Sequence, residues 1–327
     1  MAGMGKRMRP HTLTTAKPLI PVGGKAIVQH LMEDITRICD QKVDEIAFII
    51  GNFGKEVEQN LIGIAESLGA KGTIYYQHEP LGTAHAILCA APSLQGNCVV
   101  AFADTLFSAD FKLDKDCDGI IWVKQIEDPK QFGVVKVDKN GVITDFVEKP
   151  QEFISDLAII GIYYVSDGDN LKKELQFLID NDIRDKGEYQ LTNALENMKN
   201  KGMKLKAGTV DEWLDCGNKD ATVYTNQRVL EIKNPTSHIA KTAQVSNSVI
   251  NHPCYIDEKA VLENAVVGPF VTVGAGTVIR NSVVRNSIIQ KNSVIENAVI
   301  NNSLIGNFAK YKGKMSDLSM GDYSTEG

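Results

Sequence analysis

The residues of this chain best suited to chemistry come first: Gly3-Met-Gly5, followed by Lys6, Arg7 and Arg9, with Lys17 shortly after. Two glycines one residue apart let the backbone turn tightly and present its N–H groups to an anion, and four cations surround that turn. A triphosphate suits such a loop. The two commoner Gly-rich phosphate loops do not fit, because position 8 is Met rather than a third Gly and no Gly-x4-Gly-Lys-Ser/Thr occurs. A dehydrogenase or a P-loop enzyme is therefore disfavoured. Read alone, the same stretch also describes a solvated basic terminus. A second candidate is Asp104, directly after the apolar run Val99-Val-Ala-Phe-Ala103. A carboxylate ending a buried strand stands at the carboxyl edge of a sheet, where Mg²⁺ is held by one or two carboxylates and phosphate oxygens. An Asp that only caps the strand would read the same.

These groups need elements to position them. Ile27, Val28, Leu31, Ile35 and Ile38 recur at helical spacing, so the Gly turn leads into a helix over 26–39. A buried strand over 45–50 ends at Gly51, and an amphipathic helix follows over 55–68. A strand over 73–77, a helix over 82–91 and strands over 97–104 and 119–125 continue the alternation. Together they predict an α/β, doubly wound, Rossmann-like and mainly parallel sheet. The loop Gln77-His-Glu-Pro-Leu-Gly-Thr-Ala84 then falls on the ligand-binding edge of that sheet, although an ordinary loop and helix N-cap would look alike. Gln131-Phe-Gly-Val-Val135 and Phe146-Val-Glu-Lys-Pro150 flank the turn Lys139-Asn-Gly141 of a hairpin. A helix over 218–232 precedes the boundary at Asn234-Pro235.

Beyond Pro235 the aromatics nearly vanish and an aliphatic returns every five or six residues, through Ile256, Leu262, Val267, Val273 and Ile279 to Ile305. Neither a helix nor a flat strand has this period. It fits a hexapeptide-repeat, left-handed parallel β-helix of about four coils. The domains expected are 1–233, 234–310 for the β-helix, and a polar tail over 311–327.

With 327 residues there is room for about two domains, and 43% hydrophobic with 23% charged residues is ordinary for a globular protein. A net charge of -6 gives no reason to expect nucleic acid as a partner. No apolar run has membrane-spanning length and no signal peptide is evident, so a cytoplasmic protein with no membrane partner is expected. The six scattered cysteines contain no Cys-x-x-Cys and read as buried free thiols.

The N-terminal stretch resembles the opening signature of the sugar-1-phosphate nucleotidyltransferases, or NDP-sugar pyrophosphorylases: Gly-Gly-x-Gly-Thr-Arg-Leu-x-Pro and then Lys-Pro-x-x-Pro-Val. The matching positions are Ala2, Gly3, Gly5, Arg7, Pro10, Lys17, Pro18, Pro21 and Val22. Ala2 stands where a second Gly is usual, and Lys6 where Thr is usual. Further matches follow in order: Gln77 to Ala84, Ala103-Asp104 for Gly-Asp, Phe132-Gly-Val-Val135, Glu148-Lys-Pro150, Glu188-Tyr-Gln-Leu-Thr192 and Trp213-Leu-Asp-Cys-Gly217.

The resemblance implies transfer of a nucleotidyl group from a nucleoside triphosphate to a sugar 1-phosphate, with Mg²⁺ as cofactor and release of pyrophosphate. It implies Arg7 and Lys17 on the triphosphate, Lys149 on the sugar phosphate, and Gly3, Gly5, Gln77, Gly82 and Thr83 on the nucleotide. Gly133, Glu148 and Gly161 would contact the sugar, with Thr192 or Glu188 as further sugar or capping contacts. Asp104 and Asp215 would hold the metal. Ile159-Ile160-Gly161 replaces the usual Asn-Ala-Gly, which leaves the sugar open, and the base is open among thymine, uracil and guanine. The reaction is expected to be glucose-1-phosphate thymidylyl- or uridylyltransferase-like, the alternative being a non-catalytic NDP-sugar-binding subunit. The β-helix matches a module of some relatives that is structural, regulatory or oligomer-forming, and in some an acetyltransferase, for which His238 and His252 are the histidines on hand. A homo-oligomer is expected. The resemblance also places a buried strand before the Gly turn, where only Met1 precedes Ala2. Four aliphatic side chains there would be worth about 1.5–3 kcal/mol each, so Met1 is expected to be internal to a longer reading frame or the chain to be cut short.

Overall fold

The structure, a computed structural model, describes residues 3, 5–39, 41–109, 113–114, 117–314 and 319–325. Met1 and Ala2, which carry the missing-strand expectation and one signature position, and part of the tail lie outside these. Backbone packing divides the chain into two units, one of residues 1–20 and 26–216, the other of residues 21–25 and 217–327.

The elements run β1 (Pro21–Val22), β2 (Lys25–Ala26), α1 (Ile27–Ile38), β3 (Glu45–Ile50), α2 (Lys55–Ser67), β4 (Lys71–Tyr76), α3 (Thr83–Leu88), β5 (Cys98–Ala101) and β6 (Thr105–Ser108). They continue with β7 (Gly119–Gln125), β8 (Gly133–Val137), β9 (Ile143–Glu148), β10 (Leu157–Val165), α4 (Gly168–Asp180), α5 (Leu191–Asn200), β11 (Leu205–Thr209), β12 (Glu212–Asp215) and α6 (Lys219–Lys233). Helix α1 forms where the sequence places it, and Ile27, Val28, Leu31, Ile35 and Ile38 are its buried stripe. Asp167 caps α4 through its side chain, which accepts from the Asn170 N–H.

The α/β class holds, and the sheet within it is mixed. In the six-stranded sheet β11 runs parallel to β7, whereas β10 runs antiparallel to β5, β7 and β8 and β8 antiparallel to β9; β3 and β4 pair in parallel as a separate two-stranded sheet. Strand β10 is buried at eight of its nine residues, the pattern of a sheet centre. A buried strand reads as an apolar run whichever way its neighbours point, so its direction was not in the sequence. Ile121, Val123, Ile159, Tyr163 and Val165 of the sheet form one core with Leu171, Leu175 and Leu178 of α4 and Leu191, Ala194, Leu195 and Met198 of α5. Two 3₁₀ turns, Lys6–Met8 and Lys17–Leu19, bring the N-terminal stretch onto this unit, with Met8 and Ile20 fully buried.

In the second unit, three parallel ladders stack as a β-helix. One runs from His238–Ile239 to Leu304–Ile305, the next from Gln244–Ser246 to Lys310–Lys312, and the third from Val249–Ile250 to Val299–Asn301. Each coil advances 17 residues at first, as from Asn264 to Asn281, and 16 later, as from Asn281 to Asn297. Ile256, Leu262, Val267, Val273, Ile279, Val284, Ile289 and Ile295 fill the interior. Ile239 and Val245 of the first coil remain exposed. The corners turn through left-handed residues, and Asn247, Asn264, Asn281 and Asn297 form a side-chain amide ladder there. Helix α6 packs on the first ladder: buried Asn226 accepts through Oδ1 from the Thr272 hydroxyl (2.6 Å) and the Gly23 N–H (2.9 Å). A Cβ at Gly24 would lie 2.2 Å from the Tyr255 ring, which requires glycine there. Of the two histidines of the β-helix, His238 stacks on Tyr255 and His252 meets the Ser237 hydroxyl. None of the six cysteines, all among the described residues, is in a disulfide.

Candidate active site

Gly5 adopts a left-handed conformation, φ 55 and ψ 37, which a side chain would strain. Its carbonyl accepts from the Thr12 hydroxyl (2.8 Å) and the Met8 N–H (2.9 Å). A Cβ on Gly5 would stand 2.9 Å from Thr12 Cγ2 and 3.4 Å from Lys17 Cβ, so the Gly turn lies directly against Lys17. Gly3 sits in a bend with open space where a side chain would be, and Arg7 is exposed.

Lys17, nearly buried, reaches across to Asp104: Nζ to Oδ2 is 2.7 Å. Asp104 stands in the turn between β5 and β6 rather than at a strand's last residue. β6 then pairs antiparallel with β12 in a register that sets Asp215 opposite Thr105, and the Cys216 N–H donates to the Asp104 carbonyl (2.9 Å). Two acidic residues more than a hundred positions apart are thereby held next to each other by backbone pairing.

The Asp104 turn is itself anchored to β10. Gly161 has φ 85 and sits where the β10–β7 register shifts, at a bulge where a Cβ would come within 2.9 Å of the Phe102 ring. Its carbonyl accepts from the Phe102 N–H (2.8 Å), and the Ile160 carbonyl accepts from the Thr105 hydroxyl (2.9 Å). The bulge thus fixes both sides of Asp104.

A second cluster gathers around Gly133. The β8–β9 register pairs Gly133 with Glu148, and a Cβ on Gly133 would be 3.0 Å from Glu148 Oε2, 3.3 Å from Ile159 Cδ1 and 3.5 Å from Thr192 Cγ2. A side chain at 133 would therefore crowd the mostly buried Glu148 carboxylate. Thr192 is buried, and its hydroxyl has no hydrogen-bond partner among the described residues. Lys149 lies in a left-handed conformation, φ 44, with its ammonium 3.5 Å from Glu148. Lys186 donates to the carbonyls of Lys149 (2.7 Å) and Glu148 (3.1 Å) and so holds this turn. Burial, reinforced by the Glu148 charge, pushes the Tyr163 phenol far above its ordinary range. The two clusters are joined by aromatics, since Trp213 of β12 meets Phe132 edge-on at 4.8 Å and its Nε1 faces the Thr105 hydroxyl at 3.5 Å.

The loop 77–84 is more self-contained than its sequence implies. The Gln77 amide nitrogen donates to the Gly82 carbonyl (3.1 Å) and faces His85 Nδ1 (3.0 Å). Gly82 presses against the Tyr189 backbone, where a Cβ would come within 2.4 Å of its carbonyl. The Thr83 hydroxyl accepts from the Leu191 N–H (2.9 Å) and donates to Gln190 Oε1 (3.2 Å). These contacts tie the loop to the start of α5, which carries Thr192. Lys186 was missed in the sequence, its only signal being that it immediately precedes Gly187 and the Glu188–Thr192 motif.

Residues 1–232 match the nucleotidyl transferase family. The chain is 31% identical over 245 residues to a low-salt glycan biosynthesis nucleotidyltransferase of Haloferax volcanii, covering 71% of this chain and 65% of that one. It is 28% identical to a glucose-1-phosphate thymidylyltransferase of Streptomyces antibioticus, covering 83% of this chain and 80% of that one. With the bifunctional protein GlmU of Methanococcus maripaludis it shares 29% identity, covering 80% of this chain and 60% of the relative. The chain thus spans less than two thirds of the Haloferax and Methanococcus relatives. A solved structure of UDP-glucose pyrophosphorylase with UDP-glucose shares the fold at a TM-score of 0.57 and 21% identity, covering 70% of this chain and 96% of that one.

Proposed function

The chain belongs to the nucleotidyl transferase family, and on that basis we propose that it is an enzyme joining a nucleoside triphosphate to a sugar 1-phosphate. A phosphate oxygen of the sugar 1-phosphate attacks the α-phosphorus, an O–P bond forms, the bond from the α-phosphorus to the bridging oxygen breaks, and pyrophosphate leaves. The attacking oxygen is already ionised, so no protein nucleophile or base is needed. What the protein supplies is position and fixed charge.

The observation that carries this reading is the convergence of Lys17, Asp104 and the Asp215 backbone, joined through Trp213 and Phe132 to the Gly133–Glu148–Lys149 cluster. Lys17, with Arg7 and the Gly3–Gly5 turn, would bind the triphosphate. Glu148 would accept from sugar hydroxyls, and Lys149 would orient the attacking phosphate. Gln77, Gly82 and Thr83 would shape the base pocket through their loop's backbone.

The donor set fits Mg²⁺. Mg²⁺ characteristically takes one or two carboxylates, with phosphate oxygens and water completing its shell, and Asp104 and Asp215 are two carboxylates at one end of the paired strands β6 and β12. Asp104 and Asp215 would hold it, and it would neutralise charge developing on the phosphates. Glucose 1-phosphate with a thymidine or uridine triphosphate is the pairing proposed, after the Streptomyces relative and the fold neighbour.

The test is pyrophosphate release from a panel of triphosphates and sugar 1-phosphates, with and without EDTA. Release that needs both substrates and stops with EDTA supports the reading. Heat of binding for an NDP-sugar without any release would overturn it in favour of a regulatory binder.

A further inference from the structure

Nucleotidyl transfer asks nothing of the Gln77 side chain, yet that side chain is held on two sides. Gln77 directly follows β4, and its N–H donates to the Ile50 carbonyl at the end of β3 (2.9 Å), which sets the residue on the carboxyl edge of that parallel pair. Gln77 is buried, and its amide brings two donors and an acceptor that need partners.

Its neighbours decide which way round the amide lies. The Gly82 carbonyl, 3.1 Å away, can only accept, so the amide atom that faces it is the nitrogen. The same nitrogen stands 3.0 Å from His85 Nδ1. Both of its N–H groups are then in use, one on each partner, and the His85 ring must have Nδ1 bare with its proton on Nε2. What remains is Oε1, which makes no hydrogen bond among the described residues.

Neither partner is free to move away. Gly82 has φ 117, and a Cβ there would meet the Tyr189 carbonyl at 2.4 Å. That carbonyl accepts from the Ala84 N–H (2.9 Å), and the Tyr189 N–H donates to the Leu81 carbonyl (2.9 Å), so the loop is pinned on both sides of Gly82. His85 rides on the first turn of α3, where the Ala86 N–H donates to the Gly82 carbonyl (3.0 Å).

We propose that His85 is a specificity-determining residue for the nucleoside triphosphate, acting through Gln77, whose amide it holds with the oxygen toward the ligand. The assignment rests on the function proposed above, in which this loop shapes the base pocket. An oxygen presented in this way accepts, so it selects a base whose ring edge offers an N–H. Uracil and thymine offer N3–H and guanine N1–H, whereas cytosine and adenine carry a lone pair on the corresponding ring nitrogen. Set against Oε1, that lone pair leaves two acceptors facing each other without a proton between them.

His85 itself need not touch the nucleotide. With its Nδ1 in place, an amide turned nitrogen-outward would set Oε1 against two acceptors, the Gly82 carbonyl and the ring. With a side chain at 85 that cannot accept, one Gln77 N–H loses its partner and the turned amide meets only one of those penalties. Base selection should then slacken while the sugar cluster around Gly133 is left as it was.

Equilibrium binding of triphosphates to the full chain in Mg²⁺ tests this, using UTP against CTP, dTTP against dCTP and GTP against ATP. In whichever pairs bind, the member with the ring N–H should bind at least about tenfold more tightly. His85→Leu should weaken that member roughly fivefold and bring the ratio toward one, with KM for the sugar 1-phosphate unmoved. His85→Asn, whose Oδ1 can take the place of Nδ1, should restore the ratio. Should His85→Leu fail to fold, the wild-type chain still decides, since a long-range ¹H–¹⁵N spectrum of histidine-labelled protein should show His85 with Nδ1 bare. Binding of no triphosphate would overturn the proposed function and this assignment with it. Binding indifferent to the base, a ratio unmoved in His85→Leu or not restored in His85→Asn, or a proton on Nδ1 would overturn the assignment alone.

Discussion

The Lys17 ammonium lies 2.7 Å from the Asp104 carboxylate, linking the N-terminal Gly turn to the turn that follows β5. The Asp104 side chain is 42% exposed, so the pair is worth only about 0–1 kcal/mol to the fold. In the function proposed here, its value lies in keeping a cation and a carboxylate at fixed places around a triphosphate. Asp104→Asn should therefore lower turnover by roughly 10²–10⁴ while moving the thermal midpoint little, and Lys17→Met should do likewise. Pyrophosphate release and thermal unfolding on the same preparations check this. Unchanged turnover in Asp104→Asn would remove the carboxylate from the mechanism.

Gly161 combines two requirements that can be separated. Its left-handed φ of 85 opposes a side chain, and so does the Phe102 ring, which a Cβ there would approach to 2.9 Å. Gly54 has a similar φ of 86 but open space around it. Gly161→Ala should cost about 2–4 kcal/mol, and Gly54→Ala, with φ 86 and ψ 162 but no clash, only the backbone strain of about 1–3 kcal/mol. Urea unfolding measures both. Because the Gly161 carbonyl anchors the Phe102 N–H, Gly161→Ala should also reduce turnover, with Gly54→Ala leaving it unchanged.

The contrast between these glycines illustrates what was legible in the sequence. Spacing gave the buried stripe of α1 and the aliphatic interior of the β-helix, since burial forces a period on each. The order of motifs brought Asp104, Glu148 and Asp215 forward as candidates, and register then explains why Asp215 comes next to Asp104. Gly161 was read as a sugar contact, yet its conformation has a local steric cause. The inward turn of the Gln77 amide onto Gly82 and His85 left no trace, because a side-chain rotamer is chosen by the folded loop around it and not by the pattern of residue types. For the same reason nothing in Pro21–Val22 or Lys25–Ala26 revealed that Gly24 packs against Tyr255.

Two thiols give the protein a defined alkaline weakness. Burial pushes Cys98 and Cys254 from 9.0 up to about 11 in the folded chain. An acid whose folded pKa is raised holds its proton when the unfolded chain has lost it. The stabilisation from these thiols is therefore complete below about pH 9 and is lost as pH rises from there through about 11. Each thiol contributes at most a few kcal/mol, at about 1.4 kcal/mol per pH unit of displacement. Urea midpoints should fall between pH 8 and pH 10.5, and Cys98→Ala should flatten the part of that fall belonging to the first unit. Equal pH dependence in wild type and Cys98→Ala would show that this thiol plays no part.

Thr192 separates a structural role from a recognition role most cleanly. Its hydroxyl is buried without a hydrogen-bond partner among the described residues, and its methyl faces Gly133, which pairs with Glu148. An unsatisfied buried hydroxyl costs about 1–3 kcal/mol, a cost that Val, of nearly the same shape, would not incur. Thr192→Val should therefore leave the free protein as stable or more so. If the hydroxyl is there to meet a sugar hydroxyl, the same variant should raise KM for the sugar 1-phosphate by roughly tenfold, with KM for the triphosphate unmoved. Unfolding and steady-state kinetics on one variant thus give opposite signs for stability and for binding. A Thr192→Val protein that is markedly less stable, with both KM values intact, would make the residue a packing element of α5 and nothing more.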